Sequence, residues 1–251
     1  MRIVIGAVVL AMWILPGSAV AAPYLWLNGA TPQRTIETAF SPPPGFVRAP
    51  AQPGSFAAWL RGLPLKPDGA PVTLYDGRLK FDQQHHVAVI DIDTGRENLQ
   101  QCADAVMRLR AEYLLAAGRP REIAFNYTNG KRQAFGGGSY ADFKRYMRRI
   151  FSFAGTYSLE REMKRVGLAD IAVGDVFIQG GFPGHAVMVV DLAVNDRGEK
   201  RFLLMQSYMP AQDMHVLENP RGGASAWYAP PGGAELVTPE WIFRTTDLRR
   251  F

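Results

Sequence analysis

A single cysteine, Cys102, excludes any disulfide within the chain. No cysteine and histidine cluster has the spacing of a zinc site. Of the four histidines, His85, His86, His185 and His215, the first two sit side by side on an expected strand. They therefore point to opposite faces and do not readily share an ion. No Gly-x-Ser-x-Gly elbow and no phosphate-binding glycine loop occurs. No metal and no cofactor is expected. Beyond the first two dozen residues, no apolar run is long enough to cross a bilayer. Charged residues make up only 20% of the chain and nearly balance, at a formal net charge of +5. That is too little for a disordered polyelectrolyte, and no nucleic-acid partner is expected. A mildly basic surface is drawn weakly to anionic polymers or headgroups.

What the chain does have begins with a leader. Arg2 is the only charge ahead of an apolar run from Ile3 to Leu15, which Pro16, Gly17 and Ser18 break. Ala19-Val20-Ala21 follows as a small-residue cleavage pattern, so residues 1–21 read as a secretory signal. The expected location is periplasmic or secreted, without a lipid anchor. Residues 22–70 read as a Pro/Gly-rich arm with one short helix around Ser55 to Arg61, laid over the domain rather than folding alone. Residues 71–251 read as one domain, with no internal repeat and no linker that splits it.

Within that domain, Cys102, Val106, Leu109 and Tyr113 recur at helical spacing. Asn98 is a suitable N-cap and Gly118 a stop. A second helix follows Ser139, with Asp142 completing a capping box. A third runs from Ser158 to Val166, ahead of Gly167. His86 to Ile92, Ile123 to Thr128, Asp175 to Ile178, Ala186 to Val194 and Arg201 to Gln206 read as strands. The last two are joined by the hairpin signal Asn195-Asp196-Arg197-Gly198. Thr238-Pro239-Glu240 reads as the start of a final short helix.

The chemistry centres on Cys102, in the first turn of the best helix. Unpaired N–H groups and the positive end of the helix dipole favour a thiolate there. The same groups can hold an oxyanion. A thiol nucleophile wants an imidazole beside it. His185, in Gly184-His185-Ala186-Val187, opens the strongest strand, and glycines beside it allow close approach. Read separately, the cysteine fits equally a buried inert thiol, and the histidine a turn on the surface.

Taken together, the cysteine at a helix start, the strand at Gly174-Asp175 and the strand opened by Gly184-His185 resemble NlpC-like cell-wall peptidases, within the papain-like group. The likeness spans roughly residues 98 to 210. It implies an α+β fold, with the cysteine helix packed on an antiparallel sheet. It also implies a catalytic set of Cys102 as nucleophile, His185 as base and Gln206 on the next strand holding the ring. Gln206 can fix the imidazole tautomer but cannot stabilise imidazolium as a carboxylate would. No glutamine lies six residues before the cysteine, where papain-like enzymes place an oxyanion donor. Arg96 is there, which leaves Asn98, Gln100 and Gln101 as auxiliary candidates. Gln101-Cys102-Ala103-Asp104-Ala105 also looks like the cysteine helix of transglutaminase-like proteins, but Asp191 is badly placed for their third residue. The whole chain further resembles a family of exported bacterial proteins known only as a domain of unknown function, which implies no activity. The expected function is an exported thiol hydrolase or amidase on a peptide or amide substrate, with peptidoglycan peptide as the natural one. The alternatives are an exported binding or scaffold domain that keeps the core without catalysis, and a transglutaminase-like acyl transferase.

Overall fold

The computed structural model describes residues 23–251 apart from Ala224; the expected signal, residues 1–21, lies outside the described residues. The helices are α1 (Ile36–Ala39), α2 (Phe56–Arg61), α3 (Cys102–Ala116), α4 (Tyr140–Phe153) and α5 (Thr156–Glu162). The strands are β1 (Val47–Arg48), β2 (His86–Val89), β3 (Ala124–Asn126), β4 (Arg132–Ala134), β5 (Lys164–Arg165), β6 (Val176–Gln179), β7 (His185–Val194), β8 (Lys200–Gln206), β9 (His215–Leu217), β10 (Glu235–Val237), β11 (Ile242–Arg244) and β12 (Leu248–Arg250).

The main sheet runs β2-β9-β8-β7-β6-β12-β5, and β1 adds to the far end of β7. Each of its pairings is antiparallel, as are the β3–β4 and β10–β11 hairpins. β7 is the centre, and its side chains alternate between two cores as a period of two requires. Ala186, Met188 and Val190 join Ala105, Val106 and Leu109 of α3 in one core. Val187 and Val189 join Phe177, Phe202, Leu204 and Phe243 in the other. Both faces of the sheet are covered, so β7 reads as a continuous apolar run.

The arm is part of this core. Ile36, Trp59, Leu60 and Leu63 are buried in the same cluster as α3, and Val47 pairs with Val194. A register irregularity between Val189 and Asp191 interrupts the β7–β8 ladder, and such bulges re-aim side chains. Asp191, fully buried, accepts from Arg61 Nε at 2.6 Å and from Arg48 Nε at 2.8 Å. This acid on the central strand therefore clamps two arginines of the arm, which explains why it takes no part in the site below.

Three sequence expectations are corrected here. The helix of Cys102 starts at Cys102, with Gln101 as its N-cap in extended backbone; Asn98 lies a turn outside. The third helix ends at Glu162, because Lys164 and Arg165 pair with β12. The segment from Thr238 forms no helix. Leu236 pairs with Phe243 and Val237 with Ile242, so Pro239-Glu240 is the tip of a hairpin. Proline followed by a polar residue suits a tight turn as well as a helix start, and the flanking β-formers decide.

Removing the clamp leaves two guanidinium groups without their carboxylate. Asp191→Ala is expected to cost about 3–5 kcal/mol, read as a lower urea midpoint at unchanged slope. A cost below about 1 kcal/mol would mean that apolar contacts alone dock the arm.

Candidate functional site

Cys102 opens α3 where that helix meets the first residues of β7. The β7–β8 ladder stops at Met188 paired with Met205, so the β7 backbone beyond it is free toward this side. The sulfur fills the gap. It contacts the Gly184 carbonyl at 3.9 Å, and the N–H groups of Ala103, Ala186 and Cys102 itself point at it. Asp104 closes the cap below, its Oδ2 accepting from the Gln101 N–H at 3.0 Å.

The thiol is only 5% exposed, and this overturns one expectation. Burial, joined by the charge of Asp104, pushes Cys102 up from its ordinary 9.0 to about 12, while the three N–H groups pull the other way. Desolvation therefore outweighs the helix end. The resting sulfur is a thiol.

His185 is fully buried, and its surroundings fix its tautomer by elimination. His215 Nδ1 lies 2.9 Å from the Asp213 carbonyl. A carbonyl oxygen only accepts, so Nδ1 carries the His215 proton and Nε2 is bare. Gln206 Nε2 lies 3.2 Å from that bare nitrogen and 2.6 Å from Glu240 Oε2. Both partners accept, so this atom of Gln206 is the amide nitrogen. Gln206 Oε1, 2.8 Å from His185 Nε2, then accepts a proton that Nε2 must carry. His185 Nδ1 is left bare and buried, without a hydrogen-bond partner among the described residues.

The three residues read from sequence as the catalytic set thus come to one end of the sheet. His185 and Gln206 are directly bonded. Among the described residues the thiol's bonded partners are backbone groups, those of Gly184 and Ala186 on either side of His185 and those at the start of its own helix, not the imidazole. Aromatic rings roof the imidazole, with centroids at 4.8 Å for Tyr208, 5.3 Å for Trp241 and 5.8 Å for Phe243. Burial pushes His185 down from 6.5 to about 4; the Gln206 bond and the Glu240 charge oppose this, and Lys80 reinforces it. The imidazole is neutral at pH 7.

The auxiliary candidates stand nearby but are engaged elsewhere. Gln100 Oε1 accepts from Arg108 Nη1 at 2.8 Å, and Gln101 Nε2 donates to Asn98 Oδ1 at 3.2 Å. Asn98 Oδ1 also accepts from the Ala211 N–H at 2.7 Å, tying the loop after β8 to the helix start. Asp93, four residues beyond β2, is paired with Arg108 and Lys144. Among the described residues no group of three or more His, Cys, Asp or Glu side chains can hold a metal ion.

Sequence reasoning missed Lys80, Tyr208, His215, Glu240 and Trp241. His215 stands directly across from Gln206 in the β8–β9 pairing, but no strand was expected there. Glu240 and Trp241 were hidden by the helix expected at Thr238.

The depressed imidazole has a consequence for stability. A histidine at about 4 when folded and near 6.5 when unfolded binds more protons in the unfolded state between those values. Its contribution to stability therefore rises with pH and is lost as pH falls through that window. Relative to His185→Gln, which cannot titrate, the parent should lose roughly 3 kcal/mol between pH 7 and pH 4, measured by urea unfolding. A constant difference would mean that the ring titrates at its ordinary value.

No curated protein and no solved structure matches the chain. One family model does, that of "Domain of unknown function (4846)", over residues 36–137 and 132–250. These matches take in α1 and the rest of the arm, the cysteine helix, the main sheet and the hairpin that carries Glu240. The chain belongs to the family described as domain of unknown function 4846.

Proposed function

We propose that the protein is an exported thiol hydrolase of amide or peptide bonds, built on a papain-like core, with Cys102 as nucleophile and His185 as base. One observation carries this reading. The amide of Gln206 holds His185 so that its bare, buried and unpartnered Nδ1 belongs to the residue beside which the only thiol is seated. A merely structural histidine normally satisfies both ring nitrogens, and an imidazole held in one tautomer by an amide is the arrangement a thiol nucleophile uses.

The chemistry follows from the neutral pair. His185 Nδ1 takes the Cys102 proton as Sγ attacks the substrate carbonyl carbon and the carbonyl electron pair moves onto oxygen. The N–H groups at the start of α3 face that oxyanion. Collapse of the tetrahedral intermediate breaks the C–N bond, and Nδ1–H protonates the departing amine. Water, losing its proton to Nδ1, then cleaves the thioester; the acid leaves and the thiol is restored. An amine in place of water makes the same site an acyl transferase. Export and the resemblance to NlpC-like enzymes point to cell-wall peptide as substrate.

Because thiol and imidazole are both neutral at rest, charge separation must be driven by the bound substrate. Access requires Tyr208 or Trp241 to move. The near-complete burial of Cys102 and His185 also favours the second reading, a binding or scaffold domain in which the thiol only packs.

Iodoacetamide separates the two. In the folded protein, alkylation of Cys102 should be slow at pH 7 and climb steadily toward pH 10, as a thiol at about 12 dictates. Trp241→Ala should accelerate it about tenfold by opening the roof. A thiol that reacts only after denaturation, in this variant as in the parent, supports the scaffold.

Incubation with peptidoglycan fragments gives the complementary test. Mass spectrometry should find amide cleavage and a transient acyl adduct on Cys102, both absent in Cys102→Ala and reduced at least about a hundredfold in His185→Ala.

A further inference from the structure

The proposed reaction leaves an electrostatic gap, since a neutral glutamine offers imidazolium no opposing charge. The hairpin tip between β10 and β11 supplies one. Glu240 Oε2 accepts from Gln206 Nε2 at 2.6 Å, and Oε1 lies 2.7 Å from Lys80 Nζ. The carboxylate and the ammonium are nearly buried, at 14% and 10% side-chain exposure. The chain Lys80–Glu240–Gln206–His185 is thus continuous, and four separate segments of sequence contribute to it.

We propose that Glu240 is a positioning residue that acts through the Gln206 amide, polarising it so that its oxygen holds the protonated imidazole of His185, with Lys80 setting how much of the carboxylate's charge reaches the ring. This rests on reading His185 as the base. The physical argument is that hydrogen bonds in a chain strengthen one another at low dielectric. An amide whose N–H is drawn toward a carboxylate carries more negative charge on its oxygen. A glutamine so polarised does part of what an aspartate does in an Asp–His pair, while the full charge stays one residue away, against Lys80. The neutral resting imidazole and its stabilised cation are then compatible.

Other groups around the ring do not substitute for this charge. His215 is buried and pushed down to about 3, so it is neutral and serves only to orient the amide, and His86 lies beyond it, ring to ring at 5.9 Å. His85 Nδ1, itself buried, faces Glu240 Oε1 at 3.6 Å. Tyr208 is raised above its ordinary value, by burial first and then by Glu240 and Cys102, and stays neutral. Cys102 is a thiol at rest.

The experiment is ring NMR of His185 in the full mature chain, with the fold checked by circular dichroism. The protonated fraction at about pH 4.5 should fall several-fold in Glu240→Gln, be largely kept in Glu240→Asp, and rise in Lys80→Met. A purely structural role predicts a different pattern. Either substitution would loosen the site, hydrate the ring and move its titration toward 6.5, the same direction in both. An unchanged or increased protonated fraction in Glu240→Gln overturns the proposal. The readout needs no substrate. If no amide is cleaved yet the two variants shift in opposite senses, the electrostatic chain stands and the hydrolase reading fails. If cleavage depends on Cys102 and the ring ignores Glu240, only this inference fails.

Discussion

Asp213 offers a carbonyl oxygen to His215 Nδ1, and from that one contact the orientation of the Gln206 amide and the tautomer of His185 follow. It leaves His215 Nε2 as an acceptor, which with Glu240 claims both protons of the Gln206 amide. The amide oxygen is thereby turned to His185. With the amide reversed, its one oxygen would face two acceptors, Glu240 and His215 Nε2, in a dry interior, and each unmade bond would cost about 1–3 kcal/mol. The imidazole is thus held in one tautomer by packing that lies two residues removed from it.

Burial shapes this site twice. It makes the hydrogen-bond chain strong, because low dielectric magnifies each link. It also holds both reacting groups neutral, raising the thiol and lowering the imidazole. A site of this kind has little reactivity while closed. In the proposed reaction, a substrate would have to displace the aromatic rings packed against His185. The clamp of Asp191 on Arg48 and Arg61 ties the arm to the other end of β7.

How much of this was readable in the sequence depends on which elements carry strong periodicity. α3 and β7 were legible because one repeats apolar residues at helical spacing and the other is an uninterrupted apolar run, as a strand covered on both faces must be. Gln206 was named through the resemblance to NlpC-like enzymes, which places a polar residue on the next strand. The third helix and the segment at Thr238 were misread because their fate lies in pairing with distant chain, β12 in one case and β11 in the other, which no local pattern encodes. The thiol's charge state was misjudged for a related reason. The helix end is local and visible in sequence, whereas the burial that outweighs it arises only in the fold, where β7, more than eighty residues away, covers the sulfur. Lys80 and Glu240 are ordinary surface residues in sequence and meet only through the fold.

The tautomer of His185 is the most direct measure of the central claim, because thiol activation, amide orientation and the role of Glu240 all require it. Nitrogen-15 spectra of histidine-labelled protein near pH 7 should show His185 with a proton on Nε2 and a bare Nδ1, the reverse of His215. A proton on Nδ1 of His185, or rapid averaging between the two nitrogens, would contradict the arrangement described here.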